Sequence, residues 1–290
     1  MDVLQQLVIN PLAPAFMQRA LVAVIVIGVI SGVMGTYVVT RGLAFLGDAM
    51  AHSILPGVAV AYLLAGTGSG LLLGGLVAGV LAALGIGFLT RGGRLAEDTA
   101  IGIVFAGMLA LGIGLISYTR NYAVDLMHVL IGNVLAVTPD NLALMVIAGL
   151  VVLALALALY KELLVASFDS ILAQTLRLPG EALRTLLLVM LAITIVVGAQ
   201  MVGVALVAAM LVTPAATARF FVRRMHHMML LAAGLGAGCG VLGLYLAWHL
   251  SIAASAAIVL AMTGLFLLAF FLAPERGYLW SLLGRSARNL

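Results

Sequence analysis

The residues of this sequence with the greatest capacity for chemistry are Asp48 and His52, set in Gly47-Asp48-Ala49-Met50-Ala51-His52-Ser53-Ile54-Leu55-Pro56-Gly57 among apolar neighbours. Four positions apart, they fall on one face of an α-helix, one turn above the other, within reach of a single ion. A carboxylate oxygen beside an imidazole nitrogen suits divalent manganese, iron or zinc better than a monovalent ion. Pro56 lacks the N–H that would bond the carbonyl of His52, so a third polar group is expected at the same height. A second proline, Pro214 in Thr213-Pro214, would free the carbonyl of Met210 in the same way. Such a break lines a transport path or is a packing kink, and the spacing alone supports both. Tyr37, Met50, Gln200 and Thr213 are the other side chains within reach of a path, Met50 being equally suited to core or lipid packing. His128, His249 and the pair His226-His227 read as interfacial or solvated residues rather than ligands.

The elements that must hold this pair are transmembrane helices. Of 290 residues, 65% are hydrophobic and 8% charged, the composition of an all-α polytopic membrane protein. Apolar runs near Ala20–Val39, Leu43–Ala65, Leu71–Leu89, Thr99–Tyr118, Leu142–Tyr160, Leu183–Gly198, Met201–Phe221, Met228–Leu250 and Ile252–Ala273 predict nine spans. The run from Leu183 to Phe221 is too long for one crossing, and Gly198-Ala199-Gln200 is the expected break; eight spans is the alternative. An odd count with the N-terminus outside and the C-terminus cytoplasmic puts all of the 14 Lys and Arg except Arg19 and Arg120 on the cytoplasmic side. The net charge of +4 is thereby explained by topology, and nucleic acid is not an expected partner. Glycines four apart, at Gly28/Gly32, Gly75/Gly79, Gly234/Gly238 and Gly236/Gly240, suit close helix packing in lipid, and the lone Cys239 reads as a packing residue.

Counted from Arg41, His52 is expected roughly 15 Å into the bilayer. An acid at that depth costs about 2.5–3.5 kcal/mol on translocon scales, so Asp48 is expected to face the bundle interior or a water-filled conduit. The bland alternative is that Asp48 caps its helix and His52 donates to a carbonyl. Outside the spans, Met1–Met17 reads as an outer interfacial segment with no cleavable signal, and Thr119–Asp140 as an outer amphipathic or re-entrant piece. Lys161–Glu181 is a half-apolar cytoplasmic connection that calls for a protein partner or the membrane surface. Residues 1–290 read as a single transmembrane domain. There is no Gly-x-x-x-x-Gly-Lys-Ser/Thr to cradle ATP phosphates, and no His-Glu-x-x-His or Gly-x-Ser-x-Gly hydrolase signature.

The block from Gly47 to Ala59 resembles the signature of the membrane permeases of zinc, manganese and iron ABC importers. Three further blocks resemble that family in the same order: Glu97-Asp98-Thr99-Ala100-Ile101-Gly102-Ile103-Val104-Phe105, Leu130-Ile131-Gly132-Asn133-Val134-Leu135, and Val202-Gly203-Val204-Ala205-Leu206-Val207 running on to Thr213-Pro214-Ala215-Ala216-Thr217-Ala218. The resemblance implies a non-enzymatic permease of a bacterial cytoplasmic membrane. It would pair with a second copy or close relative, two cytoplasmic ATPase subunits and an extracytoplasmic metal-binding protein. It also implies that Asp48 and His52 contact the metal and that Phe168, Asp169, Leu172 and Leu176 belong to the element that docks on the ATPase; from the proline breaks themselves, Met50, Pro56, Thr213 and Pro214 are expected near the pathway. Arg177 departs from the small residue or glycine common in relatives at that point. The metal is expected as transported cargo, not as a resident cofactor. The rival readings are a proton-coupled secondary transporter with Asp48 as relay, a metal-dependent intramembrane hydrolase, and a permease for a bulky chelate such as a siderophore or cobalamin.

Overall fold

The computed structural model describes residues 13–65, 69–118, 134–168 and 170–273. Among the described residues, nine helices or helix pairs are long and apolar enough to cross a membrane, in the order that the apolar runs predict. They are α1 (Ala15–Arg41), the pair α2 (Leu46–Ser53) and α3 (Leu55–Ala65), α4 (Ser69–Thr90), α5 (Glu97–Tyr118), α6 (Pro139–Ala158), α9 (Gly180–Val202), α10 (Val204–Phe221), α11 (Met225–Leu250) and α12 (Ala254–Leu272). Two short helices, α7 (Tyr160–Phe168) and α8 (Ser170–Thr175), lie between α6 and α9.

The differences from the sequence reading are at helix ends, and each has a local cause. α1 already begins at Ala15, so Met17, assigned to a surface segment, is buried in the bundle. α1 ends because Gly42 takes φ 75°, which returns its N–H to Val38 and Val39. α6 starts at Pro139 rather than Leu142: Thr138 Oγ1 accepts the N–H of Asn141 at 3.3 Å, and proline at the first helical position loses no bond it could have made. The long run breaks at Gly203, not at Gly198-Ala199-Gln200. Gly203 has φ 99° and ψ 151°, a region open essentially to glycine alone, whereas Gly198 stays helical under Ile27 and Val207. Pro214 does not break α10, which runs through it.

Backbone contact between helices builds the core. A Cβ placed on Gly28 would lie 2.7 Å from the backbone of Gly236, and one on Gly32 would lie 2.6 Å from the carbonyl of Ala232, so α1 and α11 pack with no side chain between them. Gly57 and Gly74 bring α3 and α4 together in the same way, while Gly234 and Gly238 face open space. The packed centre is α1 and α9, whose most apolar stretches are 67% and 72% buried; α5 and α6, at 17% and 22%, are outer helices with apolar faces uncovered.

Most of the described basic residues gather at one end of the bundle, where α1, α4 and α10 stop and α5, α9 and α11 start. At this basic end, α8 closes with a Schellman turn in which Leu178 N–H bonds Ala173 and Arg177 N–H bonds Gln174. That turn requires a left-handed residue, and here it is Arg177, at φ 53°. The departure noted in the sequence thus sits where glycine would carry no steric cost. Residues 1–12 and most of the outer piece, 119–133, lie outside the described residues, as do His128 and Asp169.

Two substitutions test this account of the backbone. Gly203→Ala should destabilise the protein by about 1–3 kcal/mol through strain at the α9–α10 corner. Arg177→Gly should stabilise the α8 turn by roughly 1 kcal/mol. Thermal unfolding in one detergent, followed by loss of monodisperse protein, reads both, and a lower midpoint for Arg177→Gly would contradict the assignment.

Candidate functional site

α2 is a helix of two turns with two unlike faces. Gly47, Met50, Ala51 and Ile54 are buried, and Gly47 lets α2 sit against Leu211 and Ala208 of α10. The other face carries Asp48 and His52, with side chains 50% and 30% exposed. Position within the helix favours both groups, the acid in the first turn near the positive dipole end and the imidazole in the last. Asp48 Oδ1 and His52 Nε2 are 3.6 Å apart, too far for a hydrogen bond. Two ligand bonds of about 2.1 Å opened to a tetrahedral angle would span about 3.4 Å, so the spacing suits one shared ion.

The helix yields at Ile54, two residues before Pro56, because the proline ring would collide with the carbonyl of His52 in a continuous helix. That carbonyl is not free as the sequence suggested: the N–H of Ile54 turns onto it. Pro56 is in the first turn of α3, where a missing N–H costs nothing, and α5 closes against it at Gly112. Residues 42–45 form a turn rather than helix, and His52 lies about 9 Å along the α2 axis from Leu46.

Aromatic rings wall the pair. Phe105 of α5 stands 6.1 Å from the ring of His52 and meets Phe45 edge-on at 5.6 Å. Neither ring was singled out in the sequence, although Phe105 closes the Glu97–Phe105 block. Among the described residues no third His, Cys, Asp or Glu joins Asp48 and His52, so these supply two side-chain donors.

The remaining candidates sit elsewhere. Met50 is buried on the opposite face of α2. Thr213 and Pro214 line a narrow crevice with Leu235, Cys239 and Met262, between α10, α11 and α12. Gln200 is used structurally, donating to the carbonyl of Leu71 at 3.2 Å, and Tyr37 is fully buried in the core. At the basic end, Phe168, Leu172 and Leu176 expose 59%, 43% and 55% of their surface, an apolar stripe beside buried Leu163 and Ala173.

Known proteins match this chain along nearly its full length. The ABC 3 transport family profile matches residues 13–273. The manganese transport system membrane protein MntC of Listeria monocytogenes is 41% identical over 267 residues, covering 92% of this chain and 94% of that protein. The probable iron transport system membrane protein of Haemophilus influenzae is 35% identical over 262 residues, covering 90% and 95%. The structure of PsaBC from Streptococcus pneumoniae in complex with Fab superposes with a TM-score of 0.81 at 36% identity, covering 97% of this chain and 99% of that one. With its spans, its glycine-packed core and the matched stretch in agreement, this chain belongs to the ABC 3 transport family of membrane permeases.

Proposed function

We propose that this chain is the permease of an ATP-driven importer that carries a divalent transition metal across the bacterial cytoplasmic membrane, with manganese as the first metal to test. The observation that carries the proposal is the Asp48–His52 pair, one oxygen and one nitrogen donor 3.6 Å apart on an open helix face within the span. The names of its relatives, which specify manganese and iron transport, agree with that donor set.

Two donors leave a dication short of ligands, and the exposure of both side chains leaves room for others. A second copy, or a close relative, apposed on this face would bring two further donors to a shared axis, with water completing the shell. The charge of Asp48 offsets the desolvation of the cation, and the ring of His52 selects against magnesium and calcium, which take oxygen alone. In this reading the basic end is cytoplasmic and the N-terminus outside, in line with the distribution of Lys and Arg. The stripe of Phe168, Leu172 and Leu176, with Asp169 between, then receives a cytoplasmic ATPase, since the chain has no nucleotide-binding motif of its own. An extracytoplasmic metal-binding protein would deliver the ion from the other side. A bulky chelate is disfavoured because its recognition calls for a wide pathway rather than an acid–imidazole pair.

In proteoliposomes holding the whole transporter, Asp48→Ala and His52→Ala should each lower manganese uptake at least about a hundredfold, the scale of one lost charged ligand contact. Assembly with the ATPase should be unchanged. Uptake by both variants at the wild-type rate, or uptake driven by a proton gradient without ATP, would sink the proposal. Leu172→Asp places a charge in the apolar stripe and should abolish co-purification of the ATPase while leaving the melting temperature of the permease within about 2 °C, as expected at an exposed position. Retention of the ATPase would remove the stripe from the docking surface.

A further inference from the structure

The basic end holds a charge cluster for which the transport reading has no use so far. Glu97, the first residue of α5, is 16% exposed and sits between two guanidiniums from two other helices. Arg184 of α9 donates through Nε to Glu97 Oε1 at 3.0 Å. Arg41, the last residue of α1 and 10% exposed, brings Nη1 to 3.8 Å from the same oxygen, close enough for attraction and too far for a hydrogen bond. That Nη1 is buried and has no acceptor. One carboxylate oxygen thus faces two cations and hydrogen-bonds one, leaving a buried Arg41 donor that Glu97 would satisfy by moving toward α1. The neighbouring pair Arg91–Glu181, at 2.9 Å, is 72% and 57% exposed and contributes little.

What lies on either side of Glu97 gives the cluster a purpose. Toward the basic end it borders a cavity of 670 Å³, whose far wall is Ser167, Gln174 and Leu178, in and just after α7 and α8. The segment that would receive the ATPase therefore has room to move against the cluster. In the other direction Glu97, Ile101 and Phe105 follow one another at helical spacing, and Ile101 is fully buried between them. Phe105 is about 12 Å up the helix axis from Glu97, and it is the ring that stands against His52. α5 is the least buried of the spans, and it packs against α2, the helix that carries the pair, as well as α3 and α4.

We propose that Glu97 is the positioning residue that ties the state of the α7–α8 segment to the Asp48–His52 pair, an inference that rests on the transport reading above. With Glu97 on Arg184, α5 stands as observed and Phe105 walls His52. When the segment moves into the cavity, Glu97 passes to Arg41, α5 shifts with it, and the ring changes its cover of the pair. Glu97 touches no cargo; it acts through α5.

The test uses the complete transporter in proteoliposomes and reads the number of ATP molecules hydrolysed per manganese ion taken up, together with equilibrium manganese binding in detergent. Glu97→Gln keeps the shape and removes the charge. It should bind manganese like wild type and retain ATP hydrolysis, yet take up about tenfold less metal per ATP, as expected on loss of one charge-assisted contact. Phe105→Leu, which leaves the charges alone, should raise the same ratio and decides the matter if Glu97→Gln does not assemble. A wild-type ratio in Phe105→Leu, or in a Glu97→Gln that assembles, overturns the proposal. So does a fall in uptake matched by an equal fall in ATP hydrolysis, which is what a merely structural role would give. The binding arm separates the two readings. If manganese binding is insensitive to Asp48→Ala the transport site itself is wrong, whereas binding lost in Asp48→Ala with an unmoved ratio in the variants above refutes the role of Glu97 alone.

Discussion

A carboxylate held inside an apolar span is the constraint on which the rest of this structure turns. An acid among hydrocarbon is costly, and the helix that carries Asp48 is packed tightly on its other faces and left open on one. α2 meets that requirement with small residues. Gly47 and Ala51 allow α10 to approach, Met50 and Ile54 fill the interior, and only the strip bearing Asp48 and His52 is uncovered. The interruption at Ile54 confines this polarity to a two-turn helix, after which α3 resumes an apolar course.

The glycine contacts serve the same end. In lipid no hydrophobic effect drives helices together, and backbone approach maximises dispersion instead. Gly28 on Gly236 and Gly57 on Gly74 make backbone seams between helices, while α5 and α6 stand at the edge, each seated at one glycine, Gly112 on Leu55 and Pro56 and Gly149 on Ile30. A transporter needs both kinds of contact. The seams hold α1, α10 and α11 as a frame, and α5, the least buried span, stands at the edge beside the polar face.

Much of this was legible in the sequence, for reasons that can be stated residue by residue. The spans were, because a run of about 20 apolar residues has few alternatives in a chain this hydrophobic. The shared face of Asp48 and His52 was, because positions four apart coincide on any helix. The corner between α9 and α10 was misplaced by a few residues. Gly198 and Gly203 look alike in sequence, and only φ 99° at the latter shows which one turns the chain. Pro214 read as a break, yet α10 continues through it, packed there against α11 and α12. The start of α6 could have been found from Thr138-Pro139-Asp140, a cap, a proline and an acid in order. No local pattern could have disclosed Phe105 beside His52 or Arg184 beside Glu97, because both contacts join distant parts of the chain.

The number of donors also bears on what kind of site this can be. A storage or structural metal site gathers four or more protein ligands within one chain and holds its ion for long periods. Here the described residues offer an oxygen and a nitrogen on a half-open face, beside an aromatic ring that supplies no lone pair. In the transport reading, such a site binds weakly when alone and acquires its full coordination only when another surface and water close over it. Transport asks for that property: affinity enough to take the ion from one side, and a coordination shell that comes apart when the enclosing surfaces separate, so that the ion leaves on the other. Incomplete ligation in a single chain is therefore what a passing cargo requires.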